Sequence, residues 1–205
     1  MTAVASQQFW EDFFHTQNRS EWYFSANSVL DDLLPVLSRT DPRQRVLHAG
    51  IGNAIFDEAY FKGTCVQFDF SLNGLKQIEN TTQSLNLLVA NALSLPLRDN
   101  VFSLIIEKGL FDSITGRADL AVNQAYRLLS EYHRCLQENG KVFIFSLFGP
   151  SSDTKDMLGL LFHPALSVEC RDLFVTPVEI PSQDFCFVYI LTKQASTQAS
   201  SIVQE

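Results

Sequence analysis

The chain alternates between short, almost wholly apolar runs and longer stretches in which apolar residues return every three or four positions, the patterns of buried strands and amphipathic helices. Ser6 to Thr16 predicts a first helix. After the polar break Gln17 to Ser20 a second is expected from about Glu21 to Ser38, bent or ended by Pro35. Val46 to Ala49 is an apolar run that meets Gly50 and Gly52, a strand followed by a turn, and Asn53 to Phe61 then reads as a helix ended by Gly63. Thr64 to Phe70 is rich in β-formers, Leu72 to Thr82 is helical in pattern, and Leu87 to Ala90 is a short buried strand. Pro96 and Asp99-Asn100 turn the chain into the apolar run Val101 to Ile106. From Ala118 to Gln137 the apolar positions Val122, Ala125, Tyr126, Leu129, Tyr132 and Leu136 mark the longest helix, with Asn139-Gly140 as its expected stop.

Lys141 to Phe148 is apolar nearly throughout, as in a strand covered on both faces of a parallel sheet. A polar loop, Gly149 to Asp156, and a short apolar segment, Met157 to Phe162, precede two β-rich runs at Ser167 to Val175 and Phe185 to Thr192. Only a Pro-bearing loop separates these runs, so antiparallel pairing is expected. The pattern predicts an α/β, Rossmann-like fold: a seven-stranded, mostly parallel sheet with an antiparallel C-terminal edge strand and helices on both faces. One domain is expected over residues 1–193, opening with a helical, aromatic cap at about 6–38, and a disordered tail over 194–205.

Composition narrows the partners. The 205 residues carry 15 Lys+Arg against 23 Asp+Glu, a formal net charge of -8, which repels polyanions and attracts basic polypeptide; nucleic acid is disfavoured. No apolar run reaches the roughly 18 residues of a membrane span, and no signal or transit sequence is visible, so a soluble, cytoplasmic monomer is expected. Cys65, Cys135, Cys170 and Cys186 are widely spaced and, with His15, His133 and His163, form no metal-ligand pattern; buried thiols in a reducing compartment and no metal are expected. Seventeen Phe include a cluster at Phe9, Phe13, Phe14 and Phe24, beside Trp10, Trp22 and Tyr23.

Gly50-Ile51-Gly52 closes the first expected strand, where a side chain at either glycine would obstruct a ligand lying against the backbone. Asp69 ends the next strand, placed to accept hydrogen bonds from both hydroxyls of a ribose. A dinucleotide site keeps a small residue three positions after the second glycine, and here that residue is Ile55. A branched side chain disfavours a pyrophosphate and favours a cofactor without one, such as S-adenosylmethionine. Nicotinamide chemistry is thereby disfavoured.

Ile105-Ile106-Glu107-Lys108-Gly109-Leu110-Phe111-Asp112-Ser113-Ile114 resembles the acid-Lys-Gly-Thr-aromatic-Asp-Ala segment of the seven-strand, S-adenosylmethionine-dependent protein-lysine methyltransferases. More narrowly it is similar to the methyltransferase-like group acting on elongation factor 1A and on mitochondrial citrate synthase. Phe9-Trp10-Glu11 and Glu21-Trp22-Tyr23 resemble that group's aromatic N-terminal elements, and Gln124-Ala125-Tyr126-Arg127-Leu128-Leu129-Ser130-Glu131 is similar to the citrate synthase enzyme. The likeness runs from about Phe9 to Lys193. Two positions depart from the pattern: His48 stands where an acid is common, and Leu110 replaces the usual Thr.

The resemblance implies methyl transfer from S-adenosylmethionine to a lysine of a protein substrate, elongation factor 1A-like or citrate synthase-like. The second likeness implies a mitochondrial address, for which this chain shows no presequence. It implies Gly50, Gly52 and Asn53 under the methionine part of the cofactor, Asp69 on the ribose, Phe70 beside the adenine, Asn91 and Ala92 at the adenine amino group, and Trp22 and Glu107 also at the cofactor. Glu107, Asp112 and Tyr23 are its catalytic candidates, the carboxylates orienting the incoming ammonium and aromatic walls tolerating both cations. Lys108 reads as structural or cofactor-supporting. Two other readings stand beside this one: an S-adenosylmethionine-binding scaffold in which His48 and Leu110 mark a decayed site, and a methyltransferase of a small molecule.

Overall fold

A computed structural model describes residues 6–16, 44–53, 64–79, 86–116, 120–149, 161, 173–179 and 187–195. Its strands are β1 (Arg45–Ala49), β2 (Thr64–Asp69), β3 (Asn86–Val89), β4 (Phe102–Lys108), β5 (Leu136–Ser146), β6 (Leu173–Glu179) and β7 (Phe187–Lys193). The helices are α1 (Gln7–Thr16), α2 (Leu72–Glu79), α3 (Leu110–Ile114) and α4 (Ala121–Cys135). One seven-stranded sheet runs in the order β3-β2-β1-β4-β5-β7-β6. The first five strands pair in parallel, and β7 runs antiparallel to both β5 and β6. The antiparallel pairing expected at this side of the sheet is present, and the reversed strand, β7, stands one place in from the edge.

The apolar runs form the central strands because both their faces are covered. On one face Leu47, Ile105, Val142 and Tyr189 pack with Ala125, Leu128, Leu129 and Tyr132 of α4. Residues that alternate with these, among them Val46, Ile106, Phe143 and Phe145, are as fully buried. Burying each such side chain is worth about 1.5–3 kcal/mol, so the centre of the sheet is a rigid base for its loops. No helix among the described residues is long and apolar enough to cross a membrane.

Two boundaries differ from the sequence expectation. The long helix ends at Cys135 and Leu136 is already extended (φ -79°, ψ 132°), so Asn139-Gly140 lie inside β5 and do not stop the helix. Asn139 takes a positive φ of 61° where the β4–β5 register slips between Phe102 and Leu104. The early stop has a tertiary cause: Lys193 Nζ, from β7, donates to the carbonyls of His133 and Leu136 at 2.9 Å each and to Asn100 Oδ1 at 3.0 Å. The second difference is β6, which begins at Leu173 and contains Pro177. An edge strand tolerates the missing N–H because only one side of it is paired.

The expected helix at Glu21 to Ser38, most of that at Asn53 to Phe61, Ile55, Trp22, Tyr23, Phe24, Cys170, Cys186, His163 and residues 196–205 lie outside the described residues.

Candidate functional site

The carboxyl ends of parallel strands are where open α/β sheets bind ligands, and the chemistry-bearing residues converge there. After β1 the chain turns at Gly50 (φ 63°) and Gly52 (φ 58°), a left-handed backbone that disfavours any side chain. A Cβ on Gly50 would stand 2.8 Å from Leu110 Cβ, and one on Gly52 would stand 2.7 Å from Phe14 Cζ. The turn therefore sits directly beneath α1 and α3, with room only for backbone.

Asp69, 7% exposed at the end of β2, holds the turn in place. Its Oδ2 accepts from Gly52 N at 2.8 Å and its Oδ1 from Ser71 N at 2.8 Å. Burial pushes this carboxyl above its ordinary range, the backbone donors of Ser71, Gly52 and Phe70 oppose that shift, and nearby Glu11 adds to it. A carboxylate has about four lone-pair sites, more than these donors occupy, so acceptor capacity remains for a ligand.

Glu11 carries a task that sequence reasoning missed. It reaches from α1 to the start of α2, where Oε1 accepts from Leu72 N at 2.8 Å and Oε2 from Asn73 N at 2.9 Å and Ser71 Oγ at 3.0 Å. Burial raises its pKa, and these donors outweigh the effect and hold it below the ordinary value. Gln7 Nε2 donates to Phe70 O at 2.9 Å, and Gln77 Nε2 donates to Phe14 O. With α1 so fastened, its rings pack as one group: Trp10 stacks on Phe14 at 5.6 Å and meets Phe9 edge-on at 5.2 Å, centroid to centroid.

Beneath that group is a cleft of two compartments. The larger, about 430 Å³, is lined by Phe9, Trp10, Phe14 and the glycine turn on one side and by Lys108, Asp112, Leu147 and Phe148 on the other. The smaller, about 100 Å³, is walled by Phe68, Ala90, Ala92, Leu93 and Ile114, with Asn91 and Gln124 at its polar positions. Trp10, Gly50, Asp69, Phe70, Leu110 and Ser113 line both, which puts the buried acid at the junction.

Several expected site residues meet here: Gly50, Gly52, Asp69, Phe70, Asn91, Ala92 and Asp112 all line the cleft. Asn53 and Glu107 are not on its wall. Asn53 is 4% exposed and donates from Nδ2 to Gln77 Oε1 at 2.8 Å. Glu107 is wholly buried, and its Oε2 accepts from Phe111 N at 2.9 Å, setting the turn from β4 into α3. In this structure it positions the segment that carries Leu110 and Asp112.

Asp112 faces the larger compartment and also braces its far wall. Its Oδ1 accepts from Ser146 Oγ at 2.7 Å and its Oδ2 from Leu147 N at 3.1 Å. Tyr189 completes the brace, donating to Phe148 O at 2.8 Å; burial first, then the Asp112 charge, pushes the phenol up to about 12. Neither Ser146 nor Tyr189 carries a signal in the sequence that separates it from an ordinary strand residue.

His48 lies within the sheet, 3% exposed, with Nδ1 3.2 Å from Gln67 Oε1. Burial lowers its pKa to about 3; the Gln67 hydrogen bond opposes this and the Lys108 charge adds to it. A histidine neutral when folded and basic when unfolded gives up stability as pH falls, beginning near the ordinary value of about 6.5 and continuing to about 3. The loss is at most about 1.4 kcal/mol per pH unit. His48→Gln is therefore expected to melt with a flatter dependence on pH between 6.5 and 4 than the parent, read by thermal denaturation across that range. Equal slopes would contradict the assignment.

Residues 47–144 match the family model described as a methyltransferase domain. That match, together with the sheet order, marks a methyltransferase-like domain over these residues, for which S-adenosylmethionine is the indicated cofactor. Among curated proteins the chain is similar to the eEF1A lysine and N-terminal methyltransferase of Homo sapiens, 29% identical over 153 residues, and of Mus musculus, 27% identical over 152. Both matches cover 69% of this chain and 21% of the relative, so the chain spans about a fifth of the length of these curated relatives. Among solved structures it resembles a SAM-dependent methyltransferase from Anabaena variabilis, with TM-score 0.61 at 13% identity over 95% of this chain and 96% of that one. It also resembles geranyl diphosphate C-methyltransferase from Streptomyces coelicolor, solved with S-adenosyl-L-homocysteine: TM-score 0.60 at 12% identity, covering 91% and 96%. These two show the fold.

The residues fit the cofactor. The left-handed glycine turn on the wall of the larger compartment suits the methionine chain, and the acid at the junction suits the ribose. The small compartment, walled by flat and short apolar side chains, suits the adenine.

Proposed function

We propose that this chain transfers a methyl group from S-adenosylmethionine to a lysine side chain of a protein. The observation that carries the reading is the larger compartment, where the Asp112 carboxylate and the rings of Phe9, Trp10 and Phe148 line one cavity with the glycine turn. A carboxylate among aromatic faces is a place for a cation. The names of the curated relatives, and the acidity of the chain, support a basic protein acceptor of the elongation factor 1A type.

Bound S-adenosylmethionine supplies an electrophilic methyl group on a sulfonium. Lysine arrives protonated, with an ordinary pKa of about 10.4 and no lone pair for attack. In this reading Asp112 orients the ammonium, and the apolar walls favour loss of its proton by withdrawing water. Trp22 and Tyr23 enter through the resemblance of Glu21-Trp22-Tyr23 alone, as cofactor contact and catalytic group respectively.

The test is incubation of the protein with methyl-tritiated S-adenosylmethionine and cell extract, followed by separation into protein and small-molecule fractions. Label is expected in the protein fraction and is expected to fall as salt rises, because acceptor and enzyme attract through opposite charge. Label confined to small molecules would replace the acceptor class, and cofactor binding with no label in either fraction would make the chain a scaffold.

A further inference from the structure

Gln124 stands in the first turn of α4 and lines the smaller compartment, opposite Phe68 and beside Ala92 and Leu93. Asp69, Asn91 and Ser113 supply the rest of its polar lining, and the remaining walls are apolar or glycine. Gln124 Oε1 is buried, and among the described residues no donor reaches it. A buried carbonyl oxygen left without a donor costs about 1–3 kcal/mol, so such an atom beside a cavity points to a donor that arrives with the ligand.

Of the other polar side chains that line it, Asp69 stands at the junction with the larger compartment and accepts from Gly52 N and Ser71 N, and Asn91 is turned to its own loop. Asn91 is exposed, its Oδ1 accepts from Leu93 N at 2.9 Å and its carbonyl accepts from Ser94 N at 3.0 Å. It shapes the turn after β3. An adenine held between Phe68 and the short side chains of Ala90 and Ala92 presents one strong donor, its exocyclic amine. A terminal carboxamide turns in a broad, shallow well, so the Gln124 oxygen can be aimed at that amine without a change of helix or backbone.

We propose that Gln124 is the residue that selects adenine in the cofactor, its Oε1 accepting a hydrogen bond from the exocyclic amine. The proposal rests on the cofactor assignment and not on the identity of the methyl acceptor. Its consequence is a base preference. A ligand whose purine lacks the amine leaves Oε1 buried and without a donor, whereas one that carries it supplies the missing partner.

Calorimetric titration of the whole chain tests this without turnover, with S-adenosylhomocysteine and its analogue bearing unsubstituted purine in place of adenine as the probes. The parent protein is expected to bind the adenine compound about tenfold or more tighter, the range for a site built around one substrate hydrogen bond. Gln124→Leu, which keeps a good helix former, is expected to bind the two compounds within about twofold of each other. Gln124→Glu keeps an acceptor oxygen and is expected to retain the preference. Equal affinities in the parent, or an undiminished preference in Gln124→Leu, would overturn the assignment, and the parent comparison stands even where a variant fails to fold. Failure of the cofactor reading looks different, since neither compound would then bind the parent.

Discussion

Asp69→Ala is expected to weaken S-adenosylmethionine binding by roughly a hundredfold or more. Two ribose hydroxyls lose a charged acceptor, each such hydrogen bond is worth about 1.5–3 kcal/mol, and every 1.4 kcal/mol is about tenfold in affinity. The same carboxylate holds Gly52 N and Ser71 N at 2.8 Å, so the variant also loosens the turn that lines the cleft. Asp69→Asn separates these effects. It keeps the size and one acceptor oxygen, and is expected to fall between parent and alanine. Calorimetry reads the affinities and circular dichroism confirms the fold; parental affinity in a folded Asp69→Ala would remove the acid from the site.

Gly52→Ala is the second large effect, and it acts through geometry alone. At φ 58° a Cβ costs about 1–2 kcal/mol in backbone strain, and this one would also press on Phe14, a ring 2% exposed within the cap. Gly74 closes the other side, since even a Cβ there would stand 2.7 Å from the Gly52 carbonyl oxygen. The expected result is a lower melting temperature together with at least roughly tenfold weaker cofactor binding, about 1.4 kcal/mol. Adding Phe14→Leu is expected to return part of the stability, because it removes the clash and leaves the strain. Parental stability and affinity in Gly52→Ala would show that the turn is open to side chains.

The strands were legible because each central one contains a short run that is mostly apolar, broken by single residues such as His48 and Ser103, and the glycine turn because two glycines at a strand end have few other uses. Asp69 was legible by its distance from that turn. What escaped was fixed by contacts across long separations. Lys193 ends α4 from 57 residues away through the Leu136 carbonyl, and no local pattern near Asn139-Gly140 announces it. Glu11 was visible only as part of an aromatic element, yet its partners Leu72 and Asn73 lie 61 and 62 residues on. Glu107 and Asp112 look alike in sequence, five residues apart on a strand end and the next helix. The fold separates them, turning one inward onto Phe111 N and the other toward the cavity. Gln124 reads as the first residue of a similar segment and a polar position of a periodic helix, with no role of its own until the compartment beside it is seen.

On the proposed function, the cavity beneath α1 delivers a methyl group to the side-chain nitrogen of a protein lysine. Tandem mass spectrometry of protein methylated by this chain, with S-adenosylmethionine carrying a heavy methyl group, reads the acceptor atom itself. The heavy methyl is expected on lysine side chains, and is expected to disappear when Asp69→Ala replaces the parent. Heavy methyl on other residue types alone, or lysine labelling undiminished in Asp69→Ala, would contradict the proposed function.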